Sequence, residues 1–532
     1  MKTLPIGAST LISIFNDNCY YVDKTPFVKQ LVDNGRYYFL SRPRRFGKSL
    51  FLDTLKQAFL AEKKYFNGLF LENNWDWSTK YPVIHISFGS GVMESRQHLD
   101  IKISEILTTN AKLYEIDFEF SSISGKFYEL IQKLYDKYQQ SVVILIDEYD
   151  KPILDNITKT SMAVEMREGL KNLYSVIKDC DQWLKFVFLT GVSKFAKVSL
   201  FSDLNNLKDL SLDKRYAVIC GYTHEELIQT FEDRLENVDL EVVKLWYDGY
   251  NFLGQPVYNP YDILYYLDNK EFRNYWFETA TPSFLIKLLE QKSYFLPNLE
   301  NVKTTETLLS SFDIERIELE TLLFQTGYLT ITGTSRVGVR EIYELSYPNL
   351  EVKMSLTDFL LRYFLITTEA TTQEKNKIAL YESLATADLE GLRRTFHALF
   401  ASIPYHWYVK NPMNEYEGYY ASVFYCYLTA LGVDVYGEDT TNQGRIDLTV
   451  KLENQIYIIE FKVIDCEKEK KGGKNQALQS EEPKTNAALQ QIKTKRYFEK
   501  YQSASKAAIY LIGIEFNPDD KNIERFDWEK LA

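Results

Sequence analysis

Short apolar runs alternate with helical patterns along the first third of the chain. Runs at residues 37–40, 83–88, 142–147 and 186–192 are typical of strands. Apolar residues three and four positions apart predict helices at residues 49–60, 99–113 and 126–137. The run at 142–147 contains no polar alternation, as expected for a strand buried on both faces. This order predicts an α/β fold with a parallel, three-layer sheet.

From about residue 221 the pattern becomes mainly helical, in the segments HEELIQTFEDRLENV, YDILYYLDN, PSFLIKLLEQ and ELETLLFQTGYL. Residues 328–346 predict a β-hairpin, so the middle region is expected to combine a helical lid with a winged-helix-like unit. A helical linker is predicted at about residues 356–394. The last part predicts a helix at 416–431, two strands in RIDLTVKLENQIYIIEFKV, a polar loop at 465–483, a helix in TNAALQQIKTKRYFEKY and a strand in AAIYLIGIEF.

Composition and net charge exclude several classes of function. The 532 residues include 62 basic and 74 acidic side chains, and the net charge of −12 excludes a whole-chain basic surface for nucleic acid. Five Cys without paired spacing and five His without an HExxH motif predict neither a disulfide framework nor a zinc site. No run of about 18 apolar residues indicates a membrane span, and the N-terminus does not resemble a signal peptide. We therefore expect a cytoplasmic protein.

The strongest local motif is SRPRRFGKSL at residues 41–50, which follows a predicted strand and opens a predicted helix. A P-loop needs this context, because helix N-terminal amides and the helix dipole favour phosphate. Lys48 would reach the β and γ phosphates, and the Ser49 hydroxyl would bind Mg²⁺. Arg42 stands where a P-loop usually has glycine, so a basic turn without a ligand is the alternative interpretation. Extra charge beside the phosphates is expected from Arg42, Arg44 or Arg45. The predicted nucleotide-binding residues are Arg44, Arg45, Phe46, Gly47, Lys48, Ser49, Leu50 and Asp147.

A second motif, VVILIDEYDKP at residues 142–152, favours the P-loop interpretation. In P-loop NTPases an acidic residue at such a strand end holds Mg²⁺, which predicts this role for Asp147. Glu148 would then act as the general base for the attacking water. The alternative is a strand end that meets solvent with charged residues. After the next strand, Thr190, Ser193 and Lys194 are candidates for contact with the γ phosphate or are exposed turn residues.

A third motif lies near the C-terminus, where Asp447 is followed thirteen residues later by Glu460-Phe461-Lys462. Alternate residues of a strand share a face, so Glu460 and Lys462 should point the same way. A hairpin through KLENQ would bring Asp447 near Glu460. Two carboxylates bind a hard divalent cation, and a neighbouring Lys can orient or activate water, as in metal-dependent phosphodiester hydrolysis. The same D…ExK pattern also arises by chance.

Flanking helices add two candidates to this third motif. Glu417 in the preceding helix is a further ligand or orienting group, and Gln491 in the following helix is expected to face the same cleft. The predicted catalytic residues are Glu148, Asp447, Glu460 and Lys462. The predicted metal ligands are Ser49, Asp147, Glu417, Asp447 and Glu460. Mg²⁺ is expected at both sites, with Mn²⁺ as an alternative at the second.

The chain resembles the bacterial AAA-ATPase-like family that carries a C-terminal PD-(D/E)XK nuclease domain. The resemblance lies in segments such as YYVDKTPFVKQL, YFLSRPRRFGKSLFLDTLK, LIDEYDKPI, LWYDGYNF and RIDLTV…IIEFK. It implies ATP with Mg²⁺ at Lys48, Ser49 and Asp147, and a nuclease-type site at Asp447, Glu460 and Lys462. RPRRFGKS is this family's form of the P-loop.

These features predict four regions: a P-loop NTPase domain at residues 1–220, a helical lid and winged-helix-like region at 221–365, a helical linker at 366–396 and a nuclease-like domain at 397–532. We expect an ATP-dependent switch that governs a metal-dependent nuclease acting on nucleic acid, DNA more than RNA. The alternative is a signalling or assembly NTPase whose C-terminal domain binds nucleic acid or a protein without cleaving. A small-molecule kinase gives no use for the last 130 or so residues. The sequence leaves open whether the chain forms a homo-oligomer.

Overall fold

The computed structural model describes residues 1–194, 206–280, 295–310, 314, 317–364, 370–401, 417–464, 485–502 and 507–531. The chain divides into two compact units. The first consists of Met1–Phe284 and Lys303–Glu351, and the second of Leu285–Val302 and Val352–Ala532. The finer division into four regions stays a prediction.

A parallel sheet forms the centre of the first unit. Its strands in the described residues are β1 (Tyr37–Ser41), β2 (Val83–Ser87), β3 (Val142–Asp147), β4 (Leu184–Gly191) and β5 (Lys208–Asp209), in the order β2-β3-β4-β1-β5. Ser41 pairs with Gly191 and Ser87 with Asp147, so the carboxyl ends of these strands meet at one edge. All of β3 is buried, which confirms the interpretation of its apolar run. Ligands of such sheets bind at this edge.

The helices in the described part of this region include three that periodicity predicts, at residues 49–60, 99–113 and 126–137, and four that it does not. They are α1 (Leu11–Asn16), α2 (Thr25–Asn34), α3 (Lys48–Phe59), α4 (Arg96–Leu113), α5 (Ile123–Tyr138), α6 (Lys151–Leu154) and α7 (Thr160–Asp179). Ser95 and Ser122 begin α4 and α5, because each side chain accepts a hydrogen bond from the backbone amide three residues later. Helix α3 contacts β3 and β4 and starts directly after the loop that follows β1.

The middle of the chain is mainly helical, as its pattern predicts. The helices are α8 (His224–Phe231), α9 (Leu240–Tyr247), α10 (Pro260–Asn269), α11 (Tyr275–Ala280), α12 (Glu306–Ser310) and α13 (Leu319–Thr326). A small sheet has the order β6-β8-β7, with β6 at Val302–Thr305, β7 at Thr330–Val337 and β8 at Arg340–Ser346. The antiparallel β7–β8 pair confirms the predicted hairpin. The segment PSFLIKLLEQ lies outside the described residues.

The second unit contains a mixed sheet. Its strands are β9 (Asp434–Thr441), β10 (Gly444–Leu452), β11 (Gln455–Val463), β12 (Ala508–Asn517) and β13 (Asn522–Lys530). They lie in the order β13-β12-β11-β10-β9, with β11 parallel to β12 and the other pairs antiparallel. The helices that follow the small sheet in the chain are α14 (Leu350–Phe364), α15 (Ala370–Thr386), α16 (Leu389–Ala401), α17 (Glu417–Ala430), α18 (Ala487–Lys495) and α19 (Glu499–Gln502).

The second unit confirms the predicted strand pair and corrects one helix. The helix expected across residues 485–501 is interrupted after α18, because Arg496 adopts the left-handed conformation (φ 51°) and its amide closes the helix. Strands β9 and β13 were not predicted. The polar loop expected at residues 465–483 lies outside the described residues.

In the described part of the chain, no helix combines the length and apolarity that a membrane crossing requires.

Candidate functional site

The loop between β1 and α3 has the geometry of a phosphate-binding turn. Gly47, at the N-cap of α3, has φ 88°, a conformation that favours glycine. Lys48 begins the helix and folds back over the loop, where Nζ donates to the carbonyl oxygens of Arg42 at 2.9 Å and Pro43 at 2.8 Å. Burial lowers the pKa of the Lys48 amine. An anion at the helix N-terminus would supply the counter-charge that these carbonyl oxygens only partly replace.

Asp147 at the end of β3 joins the two sequence motifs. Its Oδ2 accepts a hydrogen bond from the Ser49 hydroxyl at 2.6 Å, and its Oδ1 accepts one from the backbone amide of Glu148 at 3.0 Å. The carboxylate is 6% exposed. A hydroxyl and a carboxylate in contact are a donor set that Mg²⁺ prefers.

Glu148 adopts an unusual backbone conformation beside this pair. Its φ is 51°, in the left-handed region that non-glycine residues seldom occupy. Burial, followed by the neighbouring Asp147 charge, raises the pKa of Glu148 above its ordinary value. A carboxyl group with a raised pKa is suited to accept a proton from water near neutral pH.

A cavity of about 650 Å³ opens above these residues. The loop between β1 and α3 and Glu148 line it, together with the N-terminal segment and aromatic side chains. These further lining residues include Pro5, Ala8, Tyr21, Tyr222 and Tyr261. The volume lies in the range of small-molecule and cofactor sites.

Of the remaining residues of this loop, some pack against other parts of the domain and others line the cavity. Arg44 and Arg45 are exposed and line the cavity, and Arg45 lies over the Tyr261 ring at 5.0 Å. Phe46 is buried with its ring 4.8 Å from that of Tyr250. The indole Nε1 of Trp276 donates to the Arg44 carbonyl at 3.1 Å, which ties the loop to the helical region. Leu50 also lines the cavity.

Arg42 does not supply charge to the phosphate end of the cavity, which corrects that interpretation. Its guanidinium is 1% exposed and donates to the backbone carbonyls of Ser41 and Ser211, both at 2.9 Å. It also donates to the carbonyls of Tyr216 and Ala217 and stacks 3.8 Å above the Phe252 ring. Burial lowers the pKa of Arg42 to about 10.

The residues after β4 also turn inward. The Ser193 hydroxyl donates to Asp150 at 2.6 Å, and the buried Lys194 amine lies 3.2 Å from Asp209 Oδ2. Thr190 is fully buried within β4. The interpretation of these three side chains as γ-phosphate contacts is therefore not supported by their positions.

In the second unit, the β10–β11 hairpin brings the predicted carboxylates together. Oδ2 of Asp447 accepts a hydrogen bond from the Phe461 amide at 2.8 Å. Phe461 packs against Phe424 of α17 at 5.1 Å, while the neighbouring Glu460 accepts a hydrogen bond from Gln491 Nε2 at 3.2 Å. Glu460 and Phe461 therefore face opposite sides of β11, whereas the shared face of Glu460 and Lys462 stays a prediction.

Glu460 is the most buried ionisable group of this site, with 1% exposure. Burial and the adjacent Asp447 carboxyl, which is also its hydrogen-bond partner, raise the pKa of Glu460 to about 10. Its Oε1 is buried and has no hydrogen-bond partner among the residues that the structure describes. Two adjacent carboxyl groups with an unsatisfied oxygen need either a shared proton or a cation, so the donor set fits a divalent metal ion.

Glu417, predicted as a metal ligand or orienting group, contacts Lys462 of this site, and its role as a ligand stays a prediction. Its Oε2 lies 3.4 Å from Lys462 Nζ, in an ion pair at the half-exposed start of α17. Within the described ranges, no group of three or more His, Cys, Asp or Glu side chains is arranged to hold a metal. A cation here would rest on Asp447 and Glu460, with water or backbone oxygen completing its shell.

Comparison with known proteins agrees with both domains. A family model described as predicted AAA-ATPase matches residues 5–201, and one described as PD-(D/E)XK nuclease superfamily matches residues 415–526. A protein of Azotobacter chroococcum mcd 1, named "Uncharacterized protein in vnfD 5'region", is 47% identical over 532 residues, which cover 100% of this chain and 99% of that protein. The chain belongs to the AAA-ATPase-like family with a C-terminal PD-(D/E)XK nuclease superfamily domain. This confirms the resemblance stated from the sequence.

Several residues of the AAA-ATPase-like domain were missed by sequence reasoning. The N-terminal segment around Pro5 and the Tyr21 side chain line the cavity, although no role was predicted for them, and so does Tyr222, which follows this domain in the chain. Asp150, two positions after Glu148, is buried at the cavity wall. Its charge so close to the DE pair was the one signal that pointed to it.

In the PD-(D/E)XK domain the missed residue is Tyr497. Its side chain is 3% exposed and its hydroxyl shares a hydrogen bond with Gln491, the residue that donates to Glu460. Burial and the nearby Glu460 and Asp447 carboxyl groups raise the pKa of Tyr497. The polar context KTKRY gave no indication that this ring is buried.

Proposed function

We propose that the AAA-ATPase-like domain binds and hydrolyses ATP with Mg²⁺, and that the PD-(D/E)XK domain hydrolyses phosphodiester bonds in nucleic acid, with DNA as the preferred substrate. The proposal for the first domain rests on one arrangement, the Ser49–Asp147 hydrogen bond between the phosphate-binding loop and β3. Nucleotide would bind in the cavity beside this pair. ATP rather than GTP follows from the family.

In the ATPase step, Lys48 exchanges the carbonyl oxygens of Arg42 and Pro43 for phosphate oxygens. Ser49 and Asp147 would hold Mg²⁺, which supplies charge neutralisation on the phosphates. Glu148 accepts a proton as the water oxygen bonds to the γ phosphorus and the bond from that phosphorus to the β–γ bridging oxygen breaks. The products are ADP and inorganic phosphate.

In the nuclease step, Asp447 and Glu460 would hold Mg²⁺ or Mn²⁺, which lowers the pKa of bound water and stabilises charge on phosphorus. Lys462 orients the attacking water and stabilises the negative charge that develops on the phosphoryl oxygens. Gln491 fixes the Glu460 carboxyl group through its hydrogen bond. The water oxygen bonds to phosphorus and releases a proton to solvent, one ester P–O bond breaks, and the leaving oxygen takes up a proton from solvent.

The test uses the full-length chain and two separated substitutions. Lys48→Ala should lower ATP hydrolysis at least about tenfold, because it removes a charged phosphate ligand. Asp447→Ala should abolish cleavage of plasmid and linear DNA in Mg²⁺ or Mn²⁺ without lowering ATP binding. Lys56→Ala on α3 and the exposed Asp434→Ala on β9 are the matched controls.

Two results would change the proposal. If the wild-type chain hydrolyses ATP but leaves DNA and RNA intact with either metal, the result favours the alternative, in which the second domain binds nucleic acid or a protein without cleaving. The two-carboxylate composition of its site is the observation that favours this alternative. If DNA cleavage persists at the wild-type rate in Asp447→Ala, the assignment of the site is wrong.

A further inference from the structure

A buried carboxylate that no predicted role uses lies next to the proposed general base. Asp150 is 1% exposed and lines the cavity two residues after Glu148. Its Oδ2 accepts hydrogen bonds from the backbone amides of Val192 at 3.1 Å and Ser193 at 2.6 Å. The Ser193 hydroxyl donates to the same oxygen at 2.6 Å. One carboxylate oxygen of the turn after β3 thus collects three donors from the end of β4.

Burial of a carboxylate such as Asp150 is expected to lower the free energy of unfolding relative to apolar residues in the same place. Burial raises the pKa of Asp150, and the donors from Ser193 followed by the Lys48 charge act in the opposite direction. Well-packed apolar residues join neighbouring strand ends without this desolvation cost. A buried carboxylate at a cavity wall therefore points to a requirement beyond folding.

The same turn is fastened to β4 by Tyr149. Its amide donates to the Thr190 carbonyl at 3.1 Å, and its hydroxyl donates to the Ser193 carbonyl at 2.8 Å. Gly191 permits the contact, since a Cβ there would lie 2.5 Å from Asp150 Oδ1 and 2.6 Å from the Tyr149 ring. The turn is therefore held against β4 on both sides of its backbone.

Glu148 is the residue that this attachment constrains. Its left-handed φ of 51° is strained for a residue with a Cβ, and strained residues persist when their surroundings determine the conformation. On one side Asp147 holds the Glu148 amide, and on the other Lys151 donates its amide to the Glu148 carbonyl at 3.1 Å. Asp150 lies inside this short segment, and its hydrogen bonds with Val192 and Ser193 connect the segment to the end of β4.

We propose that Asp150 is a positioning residue for ATP hydrolysis, which holds the 148–150 turn on the end of β4 so that Glu148 keeps the backbone conformation from which it reaches the cavity. The proposal rests on the proposed ATPase function of this domain. Asp150 itself forms and breaks no bond in the reaction. It acts through Glu148, and ATP binding depends on other residues.

The test compares Asp150→Asn, Glu148→Gln and the double variant in the full-length chain. We expect Asp150→Asn to lower kcat for ATP by about 10²-fold, as for a displaced catalytic group, with the Kd for ATP within about threefold of wild type. In the Glu148→Gln background the same substitution should lower the residual kcat less than twofold, because the group it positions is already removed. Ser193→Ala, which removes one donor of three, should give a smaller fall in kcat. Asp136→Asn on the exposed face of α5 is the control.

The outcomes separate this proposal from the ATPase function. Equal losses from Asp150→Asn in both backgrounds, or a Kd that rises as much as kcat falls, would show a general structural role and overturn it. If Asp150→Asn does not fold, as judged by its thermal melting curve, Ser193→Ala in both backgrounds decides by the same criterion. A wild-type chain that binds but does not hydrolyse ATP would overturn the proposed function and this inference together.

Discussion

The hydroxyl of Ser49 donates to Asp147 Oδ2 at 2.6 Å, so the first helical turn of α3 and the end of β3 are joined through two candidate metal ligands. Ser49→Ala removes the hydroxyl and should lower Mg²⁺-dependent ATP hydrolysis at least about tenfold, the scale of one hydrogen bond to a charged group. Phosphate release at increasing Mg²⁺ measures the effect. Ser49→Thr keeps the hydroxyl and should retain most activity, whereas equal losses in both variants would contradict the assignment.

Substitutions of Arg42 and of Arg44 are predicted to differ sharply in their effect on the free energy of unfolding. Arg42→Ala leaves buried carbonyl groups without donors and should lower the free energy of unfolding of the first unit by about 3–5 kcal/mol. Arg44 is exposed, and Arg44→Ala should change this free energy by no more than about 0.5 kcal/mol. Urea denaturation of the two variants provides the comparison. Similar midpoints would mean that Arg42 is not needed for the loop.

Gln491 and Gln490 offer a matched pair in the PD-(D/E)XK domain. Gln491→Ala removes the donor to Glu460 and should reduce DNA cleavage about tenfold, because the carboxyl group loses its fixed orientation. Gln490 is exposed on the same helix, and Gln490→Ala should leave cleavage unchanged. Rates at saturating metal measure the difference. A loss in Gln490→Ala as large as in Gln491→Ala would instead indicate a general effect on α18.

Asp262 and Glu351 form a pair of fully buried carboxyl groups in the first unit. Burial, and then the adjacent Glu351, raises the pKa of Asp262 well above its ordinary value of 3.8. The folded state therefore keeps a proton that the unfolded chain releases, and stability decreases as pH rises above about 4 toward the folded-state pKa. Asp262→Asn removes this linkage, so its melting temperature should vary less with pH than that of wild type.

Thermal melting between about pH 5 and pH 9 checks this expectation. Asp268→Asn is the control, since Asp268 is exposed on the same helix α10. It should follow the wild-type curve throughout. Parallel curves for wild type and Asp262→Asn would show that the pair does not bind its proton more tightly in the folded state.

Local patterns were enough to predict the parallel sheet, the loop between β1 and α3 and the β10–β11 hairpin. Lys48, Ser49 and Asp147 belong to motifs in which the spacing along the chain predicts where the side chains lie. For Glu460 and Lys462, the prediction came from strand alternation. Strands β9 and β13 were missed because both mix polar and apolar residues without regular alternation. Both lie at the edges of their sheet, where one side of the strand is less constrained.

Long-range partners account for the errors in the sites. Three arginines of one loop look alike in sequence, but Arg42 alone meets the carbonyls of Ser211 and its neighbours, about 170 residues away. Ser193 was interpreted as a phosphate contact because its partner Asp150 lies 43 residues earlier, in the turn after β3. Glu417 was expected as a ligand or orienting group, and its contact with Lys462, 45 residues later in the chain, has no local sequence signal. Such choices depend on tertiary packing, which no local pattern records.

The hydrogen bond from the Trp276 indole to the Arg44 carbonyl has an optical consequence. Indole emission responds to the strength of this bond and to the polarity around the ring, and Trp276 is completely buried. Any rearrangement of the loop on ATP binding would therefore change the intrinsic fluorescence of the protein. The difference spectrum between wild type and Trp276→Phe would isolate this signal from the other six tryptophans. If nucleotide binds as proposed, Trp276 would report the occupancy of the cavity without a label.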